Sequence, residues 1–145
     1  MSLTQDEADY LMGLEKKFTS DAPLILGAGP LKSARTLISS DGREQFWLDV
    51  HRGSLTLKYT FQERARAIIP LVRVDVGETL RHTNPDDTLI EGSHIHIYRE
   101  GYDVKFASLL AGFPFRAPDD MMITFEDFAR FCNITMIPPI TGRLI

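Results

Sequence analysis

Three of the chain's four histidines fall between Leu80 and Tyr98, in the stretch LRHTNPDDTLIEGSHIHIY. Imidazole exchanges its proton near neutral pH, so a group of imidazoles can pass protons or, when neutral, ligate a metal. Gly92-Ser93 opens the alternating run His94-Ile95-His96-Ile97-Tyr98. On a strand, residues two apart share a face, so His94, His96 and Tyr98 are expected to point one way and Ile95 and Ile97 into a core. Asn84-Pro85-Asp86-Asp87 is turn chemistry: Pro presets its own φ, and Asn and Asp tolerate tight turns. That turn is expected to fold Arg81-His82-Thr83 back alongside the His-x-His strand, gathering three imidazoles, a guanidinium and a phenol on one patch.

Three readings of such a patch compete. In the first, histidines divide acid–base work on a phosphodiester, one neutral ring taking a proton and one cationic ring giving it. His82, His94 and His96 are the acid–base candidates. Arg81, Arg99, Lys58 and Arg66 are candidates to stabilise charge on the phosphoryl oxygens, and Tyr98 or Tyr102 to orient or stack a base. In the second, the two strand imidazoles, about 7 Å apart at Cα, ligate one Zn, Fe or Mn ion with His82, His51 or Glu100 as a third ligand. The run from His94 to Glu100 resembles the first metal motif of cupins, two histidines followed by a glutamate. It departs from that motif in lacking the flanking glycines, and no histidine follows position 96. In the third, the histidines are inert polar residues on a wet face, or His94, His96, Tyr98 and Trp47 form a recognition surface without catalysis. No nucleophile stands out: Cys132 falls in an apolar helical stripe, and Ser93 beside His94 in sequence is not a triad.

Composition narrows the classes. The 145 residues suit one domain, 1–145, and 43% hydrophobic with 25% charged residues is ordinary globular usage. No apolar run approaches the ~20 residues of a membrane-spanning helix, and Asp6, Glu7 and Asp9 stand where an export signal would be basic. One cysteine excludes an internal disulfide, so the expectation is a cytoplasmic protein without membrane partners. A net charge of −4 argues against a general nucleic-acid coat. The segment His51 to His82, however, carries six basic against three acidic residues, which is the side of the chain an anion would seek.

The elements that must position the patch are legible in outline. Thr4-Gln5-Asp6-Glu7 is a capping box, and apolar spacing predicts a helix from Gln5 to Phe18. Leu24 to Pro30 opens like a dinucleotide-binding turn, but Lys32 stands where Gly or Ala is needed, so a loop is expected. Ala34–Ser39 and Glu44–His51 flank Asp41-Gly42 as a hairpin. Leu55 to Phe61, Ala67 to Val76, the His-x-His run and Tyr102 to Phe106 add further strands, with Pro70 forcing an edge or a bulge. A second cap at Thr124, with Asp127 at its third position, predicts a short helix ending near Asn133. The fold class expected is α+β: an N-terminal helix, a five- to six-stranded twisted antiparallel meander and a short C-terminal helix.

Arg81 to Pro85, Gly92 to Tyr98, Glu100-Gly101-Tyr102 and the helix start Leu3 to Ala8 together resemble an uncharacterised bacterial and phage-associated family of unknown function. That resemblance covers most of the chain and implies no activity. A small antiparallel sheet with helices to one side is also similar in layout to compact bacterial ribonuclease toxins. The reading adopted from sequence is a small protein of mobile-element type whose His82, His94 and His96 act on an RNA-like phosphodiester, without a cofactor or metal. Arg81, Tyr98, Arg99, Lys58 and Arg66 serve binding, and the partner is RNA or another anionic ligand.

Overall fold

Helix α1 (Gln5–Gly13) begins where the capping box puts it: Thr4 Oγ1 accepts from the Glu7 amide and the Glu7 carboxylate from the Thr4 amide. It ends at Gly13 instead of running to Phe18, because Leu14 is already extended and the next residues are claimed by a sheet. In the computed structural model, which describes residues 2–27, 29–53 and 58–141, the chain continues through β1 (Lys16–Phe18), β2 (Leu24–Ile25), β3 (Leu31–Ser39) and β4 (Gln45–Arg52). Then come β5 (Tyr59–Ala65), β6 (Ile69–Val76), β7 (Arg81–Thr83), β8 (Leu89–Glu91), β9 (His94–Ile97) and β10 (Ala107–Leu109). A 3-10 turn at Leu110–Gly112, helix α2 (Met121–Phe131), β11 (Ile134–Thr135) and β12 (Ile140–Thr141) complete it. Leu55 to Leu57 of the expected strand lie outside the described residues.

The architecture is α+β with a larger sheet than the sequence pattern suggests. Eight strands run in the order β10-β9-β6-β5-β4-β3-β1-β11, and β12-β2 and β7-β8 form separate two-stranded ribbons. All neighbours in the main sheet are antiparallel except β1 and β11. Pro70 does not put β6 at an edge; it lies between β5 and β9, and the proline sits where the β5–β6 register slips past Leu71. A bulge tolerates the missing amide that a regular central ladder would not. Tyr102 to Phe106 is a loop, and β10 begins after it. Helix α2 is capped by Asp120, whose carboxylate accepts from the Met122 and Ile123 amides, while Thr124 lies buried inside the helix.

One face of the sheet is the core. Phe46, Leu48 and Val50 of β4, Phe61 of β5, Val74 of β6 and Ile95 of β9 are almost fully buried, and Phe125 and Phe128 of α2 close on Phe61 at ring distances of 5.4 and 5.7 Å. Burying each such side chain contributes about 1.5–3 kcal/mol. Cys132 is buried among these residues, where burial pushes its thiol up and leaves it unreactive. No helix among the described residues is long and apolar enough to cross a membrane.

Within that apolar face lies one ion pair. Lys16 Nζ stands 3.3 Å from Glu63, both side chains fully buried, and donates to the carbonyls of Met12 and Cys132. The lysine thereby joins the ends of both helices to the middle of β5. Burial pushes the Glu63 carboxyl from 4.5 up to about 7, against the pull of Lys16. Between those values the folded chain keeps a proton that the unfolded chain has released, so this group weakens folding as pH rises through that window. In Glu63→Gln this contribution is gone, and urea unfolding at pH 5 and 7.5 should find the variant gaining on the wild type by on the order of 3 kcal/mol. A difference that stays constant with pH would mean that Glu63 is charged throughout.

Candidate metal centre

The face opposite the core carries two rows of polar side chains, fixed by strand register. His51 of β4 opposes Thr60, Thr60 opposes Asp75, and Asp75 opposes His94. The neighbouring row runs Asp49, Gln62, Arg73, His96. Directly opposed residues share a face and approach within about 5 Å, so the rows bring Arg73 and Asp75 against the two histidines. Neither helix covers this face over the histidines. They are covered by the β7–β8 hairpin, where Asn84 and Ala107 exchange two hydrogen bonds of 3.0 and 2.8 Å and His82 Nε2 donates to the Lys105 carbonyl at 2.8 Å.

The three imidazoles meet as the sequence pattern predicts. His82 lies 4.8 Å from His96 and 5.7 Å from His94, and His94 and His96 are 5.0 Å apart, all between ring centroids. Their surroundings differ, however. His94 and His96 are buried, with side chains 5% and 3% exposed, and only His82 is half-buried. The strand pair is beyond the direct reach of solvent that a shared open pocket would have given it.

Asp75 joins the histidines, and the adopted sequence reading had no place for it. Its Oδ2 stands 3.4 Å from His94 Nε2 and 3.2 Å from His96 Nε2. Thr60 Oγ1 donates to Oδ1 at 2.7 Å and Arg73 Nε to Oδ2 at 2.8 Å, which holds the carboxylate in place. On the far side of each ring, His94 Nδ1 meets the Gly92 carbonyl at 2.8 Å and His96 Nδ1 the Val104 carbonyl at 2.7 Å. A carbonyl only accepts, so both Nδ1 atoms carry the proton and a neutral ring turns its Nε2 lone pair towards the carboxylate. His96 Nε2 is buried without a hydrogen-bond partner. Burial alone would raise the Asp75 carboxyl, but His94, His96, Thr60 and Arg73 outweigh it and hold Asp75 well below the usual carboxylate range. Burial likewise opposes charge on His94, but Asp75 and the Gly92 carbonyl prevail and raise its pKa.

The two gaps to Asp75 leave room for a cation as well as for a long N–H···O contact. Charge-assisted N–H···O bonds run about 2.7–2.9 Å, shorter than either gap. Ligands at about 2.0–2.1 Å around a tetrahedral ion are separated by about 3.3 Å, the spacing seen between Asp75 and each ring. One ligand atom each from Asp75, His94 and His96 lies within 4.8 Å of the others. An Nδ1–H held by a backbone carbonyl is also the usual outer support of a metal-bound imidazole.

The other candidates are dispersed. Tyr98 does not share the imidazole face: its amide bonds the Leu71 carbonyl, the residue that the bulge inserts in β6, and β9 stops at Ile97. Its buried hydroxyl donates to the Leu3 carbonyl and accepts from the Leu3 amide, anchoring the N-terminus. Arg99 stacks on Phe106 at 4.2 Å. Arg81 pairs with Glu91 in the open, a contact worth little. Arg66 pairs with Glu44 and Glu7 at the other end of β5, about 20 Å from Asp75 by strand rise. Lys58 borders a separate cavity of about 640 Å³ with Gly77 and Ser93. The guanidinium beside the imidazoles is that of Arg73.

Residues 3–134 match a family defined by its sequence pattern. The chain belongs to a family of unknown function (DUF6978). This agrees with the resemblance to an uncharacterised family and brings no activity with it. No curated protein and no solved structure matches the chain.

The hairpin cover rests on Asn84, which is 7% exposed. Replacing it with Ala removes both bonds to Ala107, at a cost of about 1–3 kcal/mol. Hydrogen exchange should then quicken in β7 and β8 and the His82 ring signals shift, while the amides pairing β6 with β9 stay protected. Unchanged exchange in the hairpin would show that other contacts hold the cover.

Proposed function

We propose that Asp75, His94 and His96 hold one divalent transition-metal ion, and that the centre acts on the phosphodiester of an RNA-like substrate. The observation that carries this reading is the buried His96 Nε2, without a hydrogen-bond partner and 3.2 Å from the Asp75 oxygen, while its Nδ1 is committed to a carbonyl. A metal ion satisfies the lone pairs of both rings and the carboxylate at once. Three protein ligands would leave a further position for water, as in catalytic rather than closed structural sites. Two imidazoles with one carboxylate suit Zn, Mn or Fe(II).

In this reading the buried rings are ligands, and proton transfer falls to half-buried His82, whose Nε2–H donates to the Lys105 carbonyl and whose Nδ1 is then the basic nitrogen. An ion held by Asp75, His94 and His96 would lower the pKa of water there towards neutrality. His82 is placed to take the proton of the attacking water and return it to the leaving oxygen, as the bond from phosphorus to the leaving oxygen gives way to the bond to the water oxygen. The products are a phosphomonoester and an alcohol. Arg73 stabilises charge on the phosphoryl oxygens, the role that Arg81 and Arg99 are too dispersed to fill.

Equilibrium dialysis of the full chain against Zn(II), Mn(II) and Fe(II) should find one ion per chain, with His96→Ala and Asp75→Asn weakening it by about 100-fold or more. Cleavage of a single-stranded RNA oligonucleotide by the loaded protein should vanish in both variants and fall in His82→Ala without loss of the ion. Induced expression in a bacterial host should slow growth for the wild type and not for His96→Ala. Substoichiometric binding of every metal removes the reading; stoichiometric metal without cleavage leaves a metal-binding protein and removes the reaction.

A further inference from the structure

β7–β8 lies over the imidazoles, and beside them the cluster borders a hollow at Asp75. An open hollow of about 390 Å³ on the polar sheet face is lined by Asp49, His51, Thr60, Gln62, Arg73 and Asp75. Asp75 belongs both to this lining and to the metal cluster, so the hollow begins where the ligand set ends. Its charges are not equivalent. Asp49 is neutralised by Arg64, which bonds both its oxygens at 2.6 and 2.9 Å. Arg73 bonds Asp75 through Nε alone, and neither terminal nitrogen has a hydrogen-bond partner among the described residues. Its side chain is 39% exposed, so the free edge of the fork reaches water. His51 is exposed at the far wall, two strands from Asp75, or about 9–10 Å between strand axes.

We infer that this cleft is a phosphoryl-oxyanion subsite, in which the terminal nitrogens of Arg73 and the imidazole of His51 grip the phosphate group that the metal centre acts on. Positive charge and donors would approach from three sides: the cation position beside Asp75, the Arg73 fork on the same strand, and His51 across the hollow, while Thr60 and Gln62 between them already donate to Asp75 and Asp49. A tetrahedral phosphoryl group offers oxygens in three directions at once, whereas a planar carboxylate offers two in one plane. A guanidinium presents paired N–H groups in the geometry that phosphate oxygens accept. Arg73 is a substrate-contacting residue that also orients Asp75, and His51 is a specificity residue with no contact to the ligand set.

This inference rests on the metal reading for its third donor, and the two are separable by titration. Calorimetry would follow inorganic phosphate, dimethyl phosphate and acetate into the full-length protein, with and without Mn(II). Saturable binding of both phosphates is expected, several-fold tighter with Mn(II) and stronger than acetate. Arg73→Gln should weaken phosphate by about tenfold or more, the loss of one charge-assisted pair, and this is read without Mn(II) because Arg73 also holds the Asp75 carboxylate. His51→Ala, remote from the ligands, should weaken phosphate several-fold and leave Mn(II) affinity at the wild-type value. Phosphate affinity unchanged in both variants, or acetate binding as tightly as phosphate, overturns the subsite. Failure of Mn(II) to bind the wild type sinks the metal centre instead; Arg73-dependent phosphate binding would then still uphold the cleft.

Discussion

Everything distinctive about this protein depends on one register, the pairing of β6 with β9 that sets Asp75 against His94 and Arg73 against His96. Side chains alternate along a strand, so a slip of one residue would send both histidines into the apolar layer and Ile95 and Ile97 into water. The register is held from below. Val74 opposes Ile95 on the buried face, Phe61 opposes Val74 from β5, and α2 closes over Phe61. Hydrophobic packing on one side of the sheet thus fixes ångström-scale geometry on the other.

The centre is supported as well as aligned. Gly92 and Val104 supply carbonyls that set both ring tautomers, and Thr60 and Arg73 fix the carboxylate. An unpaired buried lone pair costs free energy that native structures usually avoid, which is why the His96 nitrogen is informative. The Lys16–Glu63 pair stands in contrast. It too is buried, and both Glu63 oxygens also lack a hydrogen-bond partner, but the carboxyl lies 3.3 Å from a lysine that serves two carbonyls, so the pair ties helices to sheet.

Local patterns carried much of this arrangement, and long-range pairing did not. Alternation alone put His94 and His96 on one face, and the Asn-Pro-Asp-Asp turn brought His82 to them, although it does so by pairing β7 with β8 and not with β9. The N-terminal cap was legible because its partners are three residues apart. Asp75 was not, because its partner strand lies beyond an intervening hairpin and nothing in the residues states that β6 pairs with β9. Tyr98 misled for a related reason: alternation holds only while a strand lasts, and the Leu71 bulge ends this one a residue early. Strands β1, β10 and β11 of the large sheet are two or three residues long, too short to show any period, so its extent was not legible. Asp120 outcompeted Thr124 as a cap because Thr124 Oγ1 donates to the Ala117 carbonyl from within the helix.

The one-sided placement of the helices has a consequence for how such a chain can diverge. Lys32, Ala34, Gln62 and His51 stand on the face that no helix touches, so exchanging them leaves the interior intact. Substitutions at such wet positions usually change stability by about 0.5 kcal/mol or less. Exchanges along the outer surface therefore alter what that face prefers without disturbing the layer beneath it.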